Sequence, residues 1–136
     1  MTEFRRVTDQ FSVAPQIELG DLAKAAADGF RLVINNRPDG EDASQPSSAQ
    51  MEAAARAAGL DYAFFPVRGG PTPDQVEAQH ALVEAHAGPA LAFCRSGTRS
   101  ITIWSLGEAL AGDRSGDELI RLAAAAGYDL AGLFPR

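Results

Sequence analysis

Ala90-Leu91-Ala92-Phe93-Cys94-Arg95-Ser96-Gly97-Thr98-Arg99-Ser100 is the stretch on which the fold turns. Four apolar residues after the turn pair Gly88-Pro89 predict a short strand buried on both faces. The side chains then change to small and cationic ones, and a helix is predicted from about Arg99 to Ala111. A buried strand that passes through a glycine-bearing loop into a helix belongs to a mostly parallel sheet, whose crossovers place helices on its faces. Gly97 opens backbone angles closed to other residues. Successive N–H groups can then turn inward as a nest for an anion, and the next helix adds the positive end of its dipole. The sulfur of Cys94 is one candidate for that anion, because such surroundings favour the nucleophilic thiolate.

Working outward, the same alternation repeats. Phe11 to Pro15 reads as a short strand, placed at a sheet edge because Pro15 ends it. Asp21 to Asp28 reads as a helix stopped by Gly29. Phe30 to Asn35 is a buried strand rich in branched residues. Arg37-Pro38-Asp39-Gly40 supplies turn chemistry for a loop over 36–46. Ser47 and Ser48 are N-cap candidates for an alanine-rich helix that stops at Gly59. Tyr62 to Val67 is the next strand. Thr72, Pro73 and Gln75 have the cap, first-turn proline and capping-box spacing of a helix running to about Ala87. A last helix is predicted over Asp117 to Ala126.

The expected architecture is therefore one α/β domain over 1–136, with residues 1–10 as an N-terminal arm. It has three layers: a mostly parallel, four- to five-stranded sheet flanked by helices. In open sheets of this kind ligands bind beyond the carboxyl ends of the strands, and Cys94 stands at one such end.

Composition narrows the function classes. The chain has 136 residues, 46% hydrophobic and 22% charged, with a formal net charge of -6. That balance argues against nucleic acid as a partner, since non-specific binding needs a basic surface. No stretch approaches the roughly 20 apolar residues of a membrane span. The polar N-terminus and single cysteine favour the cytoplasm, where a lone thiol stays reduced.

Cys94 to Arg99 resembles the six-residue active-site loop of rhodanese-type sulfurtransferases. Val33 to Glu41, Phe65-Pro66-Val67 and Gly88 to Ser100 together resemble the DUF442 family, the phosphatase-like domain of beta-lactamase hydrolase-like proteins. The resemblance spans about residues 10–112. It implies a fold similar to the dual-specificity cysteine phosphatases. It also implies sulfur transfer, because some members are fused to persulfide dioxygenases.

Three features weigh sulfur against phosphorus. Cysteine phosphatases place an arginine six positions after the cysteine; here Ser100 holds that position and Arg99 the fifth. A phosphate ester needs a general acid, and in the run Pro66-Val67-Arg68-Gly69 a glycine stands where the acid is expected. Asp39, Glu41 and Asp42 remain candidates if their loop folds over the site, whereas Asp74 fits a first helical turn. Arg37 and Arg68 follow predicted strand ends and can join Arg95 and Arg99 around an anionic substrate.

The expectation is a sulfurtransferase in which Cys94 carries a persulfide stabilised by Arg99. Arg95, Ser96, Gly97, Thr98, Ser100, Arg37 and Arg68 are the anion-binding candidates. The expected partners are a small sulfur donor, thiosulfate or glutathione persulfide, and a thiol or cyanide acceptor, with a persulfide dioxygenase as a candidate protein partner. A cysteine-dependent phosphatase with a cysteinyl-phosphate intermediate is the alternative, and a non-catalytic persulfide or redox relay the third reading. No metal or cofactor is expected. His80 and His86 do not share a helix face, and no other ligand-type cluster is evident. Trp104 reads as core behind the loop. Asn35 and Asn36 are candidates to brace Arg37 or the Cys94 loop.

Overall fold

Ten elements follow one another in the computed structural model, which describes residues 2–134. They are β1 (Arg5–Thr8), β2 (Phe11–Ala14), α1 (Asp21–Ala27), β3 (Leu32–Asn35), α2 (Ser48–Ala57), β4 (Asp61–Phe64), α3 (Pro73–Ala85), β5 (Ala90–Phe93), α4 (Thr98–Leu110) and α5 (Gly116–Ala125). The strands form one sheet in the order β1-β2-β5-β3-β4. β5 pairs in parallel with β2 on one side and β3 on the other, and β4 extends the parallel set beside β3.

Strand periodicity sorts the core into two layers. Phe11, Val13, Leu32, Ile34, Ala90 and Ala92 face Ile101 and Trp104 of α4 and Leu119 and Ala123 of α5. Ala14, Val33, Leu91 and Phe93 face Leu22 and Ala25 of α1 and Met51 and Ala55 of α2. Every residue of β5 is thus covered from above and below, as its unbroken apolar run predicts.

Local chemistry sets the helix ends where the sequence places them. Ser47 and Thr72 each close a capping box, with Gln50 and Gln75 respectively. Gly59 stops α2 at a φ of 85°, which only glycine adopts freely.

Two expectations need correction. Residues 1–10 are not a simple arm, because β1 lies within them and pairs antiparallel with β2. Only Val7 of Arg5-Arg6-Val7-Thr8 is buried, so the sequence lacks the apolar alternation that marks a strand. β2 is consequently an interior strand and β1 forms the edge. The strand expected over Tyr62–Val67 ends at Phe64, where Pro66 interrupts the ladder of donors. The chain still runs beside β3, since the N–H groups of Phe65 and Val67 donate to the carbonyls of Asn35 and Asn36 at 2.9 Å each. This carries Val67 toward the end of the sheet where Cys94 stands.

Phe11 and Trp104 stack at 4.9 Å between ring centroids and 6° between planes, tying α4 to β2. Trp104→Ala is expected to cost about 3–5 kcal/mol of stability, read as a lowered urea midpoint by circular dichroism.

Candidate active site

Cys94 is fully buried where β5 leaves the sheet. Its own N–H donates to the Ala14 carbonyl at 3.4 Å, and the Gly97 N–H donates to its Sγ at 3.1 Å. That second contact depends on Gly97, which has φ 95° and serves as the N-cap of α4. A Cβ at this position would lie 2.0 Å from the Tyr128 hydroxyl. Gly97 brings no capping side chain; Ser96 Oγ takes the Thr98 N–H at 3.3 Å, and the rest of the first turn keeps the N–H character that attracts anions.

Three sets of contacts hold the loop. On one side the Tyr128 hydroxyl donates to the Ser96 carbonyl at 2.9 Å. Burial pushes the Tyr128 phenol up, which keeps it a donor. Beneath, the buried Ser100 hydroxyl donates to Asn36 Oδ1 at 2.8 Å. Asn36 Nδ2 in turn donates to Gln79 Oε1 at 2.8 Å and to the Phe65 carbonyl at 3.0 Å. On the open side a chain of polar contacts runs from Arg95 to Arg99. The Gln16 N–H donates to the Arg95 carbonyl at 3.2 Å, and Arg37 Nη1 donates to Gln16 Oε1 at 3.0 Å. Arg37 Nε donates to Glu41 Oε1 at 3.0 Å. Both Glu41 oxygens then accept from the Arg99 fork at 2.8 Å, while Arg99 Nη1 also donates to the Val67 carbonyl at 2.9 Å.

Glu41 is the central charge in that chain. Hydrogen bonds from Arg99, and secondarily from Arg37, outweigh the cost of its desolvation and hold its carboxyl at about 2. Glu41 reciprocally raises the Arg99 guanidinium above its ordinary value, with Cys94 contributing. Glu41 therefore stays anionic at neutral pH while paired to the fork and cannot give up a proton there. The other acids of the 36–46 loop are also engaged. Asp39 accepts the Ser48 N–H at 2.8 Å, and Asp42 accepts the N–H and hydroxyl of Ser44. Gly69 lies exposed at φ 68° and carries no acid.

The loop over 36–46 does fold across the site, as one expectation allowed, and it brings Glu41 as a clamp. Arg37 is 4% exposed and joins the site through Glu41. Asn35 braces it, accepting the Arg37 N–H at 2.8 Å. Arg95 is exposed and shares with Arg37, Gln16, Asp42 and Gln45 the lining of a cavity of about 580 Å³ beside the loop. Ser96 and Thr98 are exposed and bonded to each other through their hydroxyls at 3.0 Å. Ser100 donates to Asn36 and not to Cys94. Arg68 is exposed and makes no polar contact among the described residues. Gln16, Gln79 and Tyr128 belong to the site but carry no sequence signal, since their roles exist only as cross-chain contacts.

His80 stands in a group of carboxylates that residue order did not reveal. It is partly buried between Glu84, Glu108 and Asp113, while His86 pairs separately with Asp61 at 2.7 Å.

Comparison with known proteins agrees with the geometry. The family model "Beta-lactamase hydrolase-like protein, phosphatase-like domain" matches residues 3–111. A beta-lactamase hydrolase-like protein of Agrobacterium fabrum is 39% identical over 92% of the chain, and one from Xylella fastidiosa is 35% identical over 91%. The chain spans only 29% of the length of each of these relatives. A crystal structure of a candidate phosphatase from Neisseria meningitidis superposes with a TM-score of 0.84 at 33% identity, covering 95% of this chain and 92% of that one. Kinase-associated phosphatase superposes with a TM-score of 0.75 at 11% identity, covering 93% and 83%, a likeness of fold. The five-stranded α/β architecture is thus that of the dual-specificity and tyrosine phosphatases.

Gly97→Ala is expected to disrupt the loop through both the positive φ and the Tyr128 contact, lowering the thermal midpoint and the rate of Cys94 alkylation at neutral pH. The Glu41 clamp has an acid limit. Because its folded value of about 2 lies below the ordinary 4.5 of glutamate, its stabilisation is complete above pH 4.5 and is lost as pH falls toward 2. The stability difference between wild type and Glu41→Gln should shrink across that window in urea titrations.

Proposed function

Since the chain belongs to the family of phosphatase-like domains of beta-lactamase hydrolase-like proteins, we propose that it is a cysteine-dependent phosphatase for esters with acidic leaving groups, aryl phosphates foremost. The observation that carries the reading is Cys94 Sγ, buried, taking the Gly97 N–H at the head of α4 with the Arg99 fork alongside.

In the first step the Cys94 thiolate attacks phosphorus. An S–P bond forms, the P–O bond to the aryl group breaks, and the aryl oxide leaves with the electron pair. The loop N–H groups and Arg99 stabilise the charge that spreads over the phosphoryl oxygens. Arriving phosphate competes with Glu41 for the Arg99 fork. Water then attacks the cysteinyl phosphate, releasing inorganic phosphate and restoring the thiolate. With Gly69 at the acid position and Asp39, Glu41 and Asp42 engaged, no protonated carboxyl assists the leaving group. The leaving group must therefore be stable as an anion, which favours a phenol over an alkyl alcohol.

The spacing of Arg99, fifth after Cys94, favours a second reading. In sulfur transfer Cys94 would attack the outer sulfur of thiosulfate, release sulfite and hold a persulfide until an acceptor thiolate removes it. That chemistry needs no acid and fits a shorter cradle. The sulfur donor, the acceptor and a persulfide dioxygenase partner belong to this second reading.

One assay separates the two. Phosphate release from aryl phosphates should depend on Cys94, vanish in Cys94→Ser and fall steeply as the leaving-group pKa rises, with alkyl phosphates nearly inert. If thiosulfate adds one sulfur to Cys94 by intact mass while no aryl phosphate is hydrolysed, the phosphatase reading is overturned in favour of sulfur transfer.

A further inference from the structure

We propose that His80, Glu84 and Asp113 form a site for a divalent metal ion of the zinc type, with Glu108 orienting His80. The inference is independent of the chemistry assigned to Cys94.

His80 and Glu84 lie one turn apart on α3. His80 Nε2 is 3.4 Å from Asp113 Oδ2 and 3.9 Å from Glu84 Oε1. Donors bound tetrahedrally to zinc, each about 2.0–2.2 Å from the ion, sit about 3.3–3.6 Å apart. Two of the three separations are thus close to that spacing, and ligand atoms of the whole group lie within 4.8 Å of one another, with a further position left to water. Glu84 and Asp113 are exposed, so both carboxylates can close the last few tenths of an ångström.

The other ring nitrogen makes the imidazole more than a neighbour of acids. His80 Nδ1 lies 3.5 Å from Glu108 Oε2, and Glu108 is 6% exposed. A carboxylate held beside Nδ1 is placed to accept its proton once Nε2 binds a cation, the support that metal-binding histidines receive. Gly107 makes the approach possible, since a Cβ there would lie 2.9 Å from His80 Cβ.

Charge points the same way. Glu84 and Glu108 stand near the C-terminal ends of α3 and α4, and Asp113 lies just past α4. Neither helix has a basic residue in its last turn, so three carboxylates crowd the negative ends of two helix dipoles. Arg114 offsets only part of this, because it also pairs with Glu118 at 2.9 Å. A divalent cation would supply the missing positive charge. Glu84 and Asp113 are exposed, so the ion reaches them directly from solvent. Bound there, the ion would join α3 to the end of α4, away from Cys94.

The test is calorimetric titration of the Cys94→Ser chain with Zn²⁺, so that no thiol competes. The expected result is one saturable ion per chain and a thermal midpoint that rises with zinc. Binding should vanish in His80→Ala and weaken by at least about tenfold in Asp113→Asn, while His86→Ala binds as the parent does. If His80→Ala fails to fold by circular dichroism, the exposed Asp113→Asn decides. The proposal is overturned if the Cys94→Ser chain binds no zinc saturably, if Asp113→Asn binds as tightly as the parent, or if His86→Ala abolishes binding.

Discussion

The organising constraint is that β5 lies in the middle of the sheet with both faces sealed. Backbone N–H and C=O groups that leave such a strand have no water to turn to and must find partners in the protein. The Ala14 carbonyl takes the Cys94 N–H, and the Phe93 carbonyl takes the Asn36 N–H. The polar residues buried nearby follow from the same demand. Asn35, Asn36 and Ser100 are almost wholly enclosed, and each is satisfied by a neighbour at the strand ends. A reactive loop placed here inherits a rigid base, because its first residue cannot move without breaking the sheet.

The electrostatics of the site differ from those of the chain. A protein with net charge -6 gathers Arg37, Arg95 and Arg99 around one cysteine. Glu41 keeps two of these arginines from repelling each other and fixes the Arg99 fork toward Val67. The carboxylate thus does two things that pull in opposite directions. It orders the arginine that an anionic substrate needs, and it occupies the same donors. On the proposed phosphatase reading, substrate binding exchanges one oxyanion for another and keeps the guanidinium oriented throughout.

Helix α4 connects the two chemically distinctive regions. Its N-terminus carries the positive end against the Cys94 loop, and its C-terminus carries Glu108 toward His80. On α3, Gln79 reaches Asn36 beneath the loop while His80, the next residue, faces Glu108. The packing of α3 on α4 thus bears on both ends, and Trp104 stacked on Phe11 holds α4 to the sheet between them.

The alternation of strands and helices, the buried run Ala90–Phe93, the caps at Ser47 and Thr72 and the loop from Cys94 to Arg99 were legible from residue order alone, because each rests on local periodicity or on contacts within a few residues. The edge strand β1 was not, since Arg5-Arg6-Val7-Thr8 has no intrinsic pattern and becomes a strand only by pairing with β2. The same distinction runs through the site. Cys94 and Gly97 announce themselves by type and spacing, and the candidacy of Asn35 and Asn36 as braces was visible in their place after a strand. Glu41 as a clamp, Tyr128 behind Gly97 and the gathering of His80, Glu84, Glu108 and Asp113 were decided by tertiary structure. Those contacts join residues far apart in sequence, and which ones meet depends on how the helices pack across the sheet.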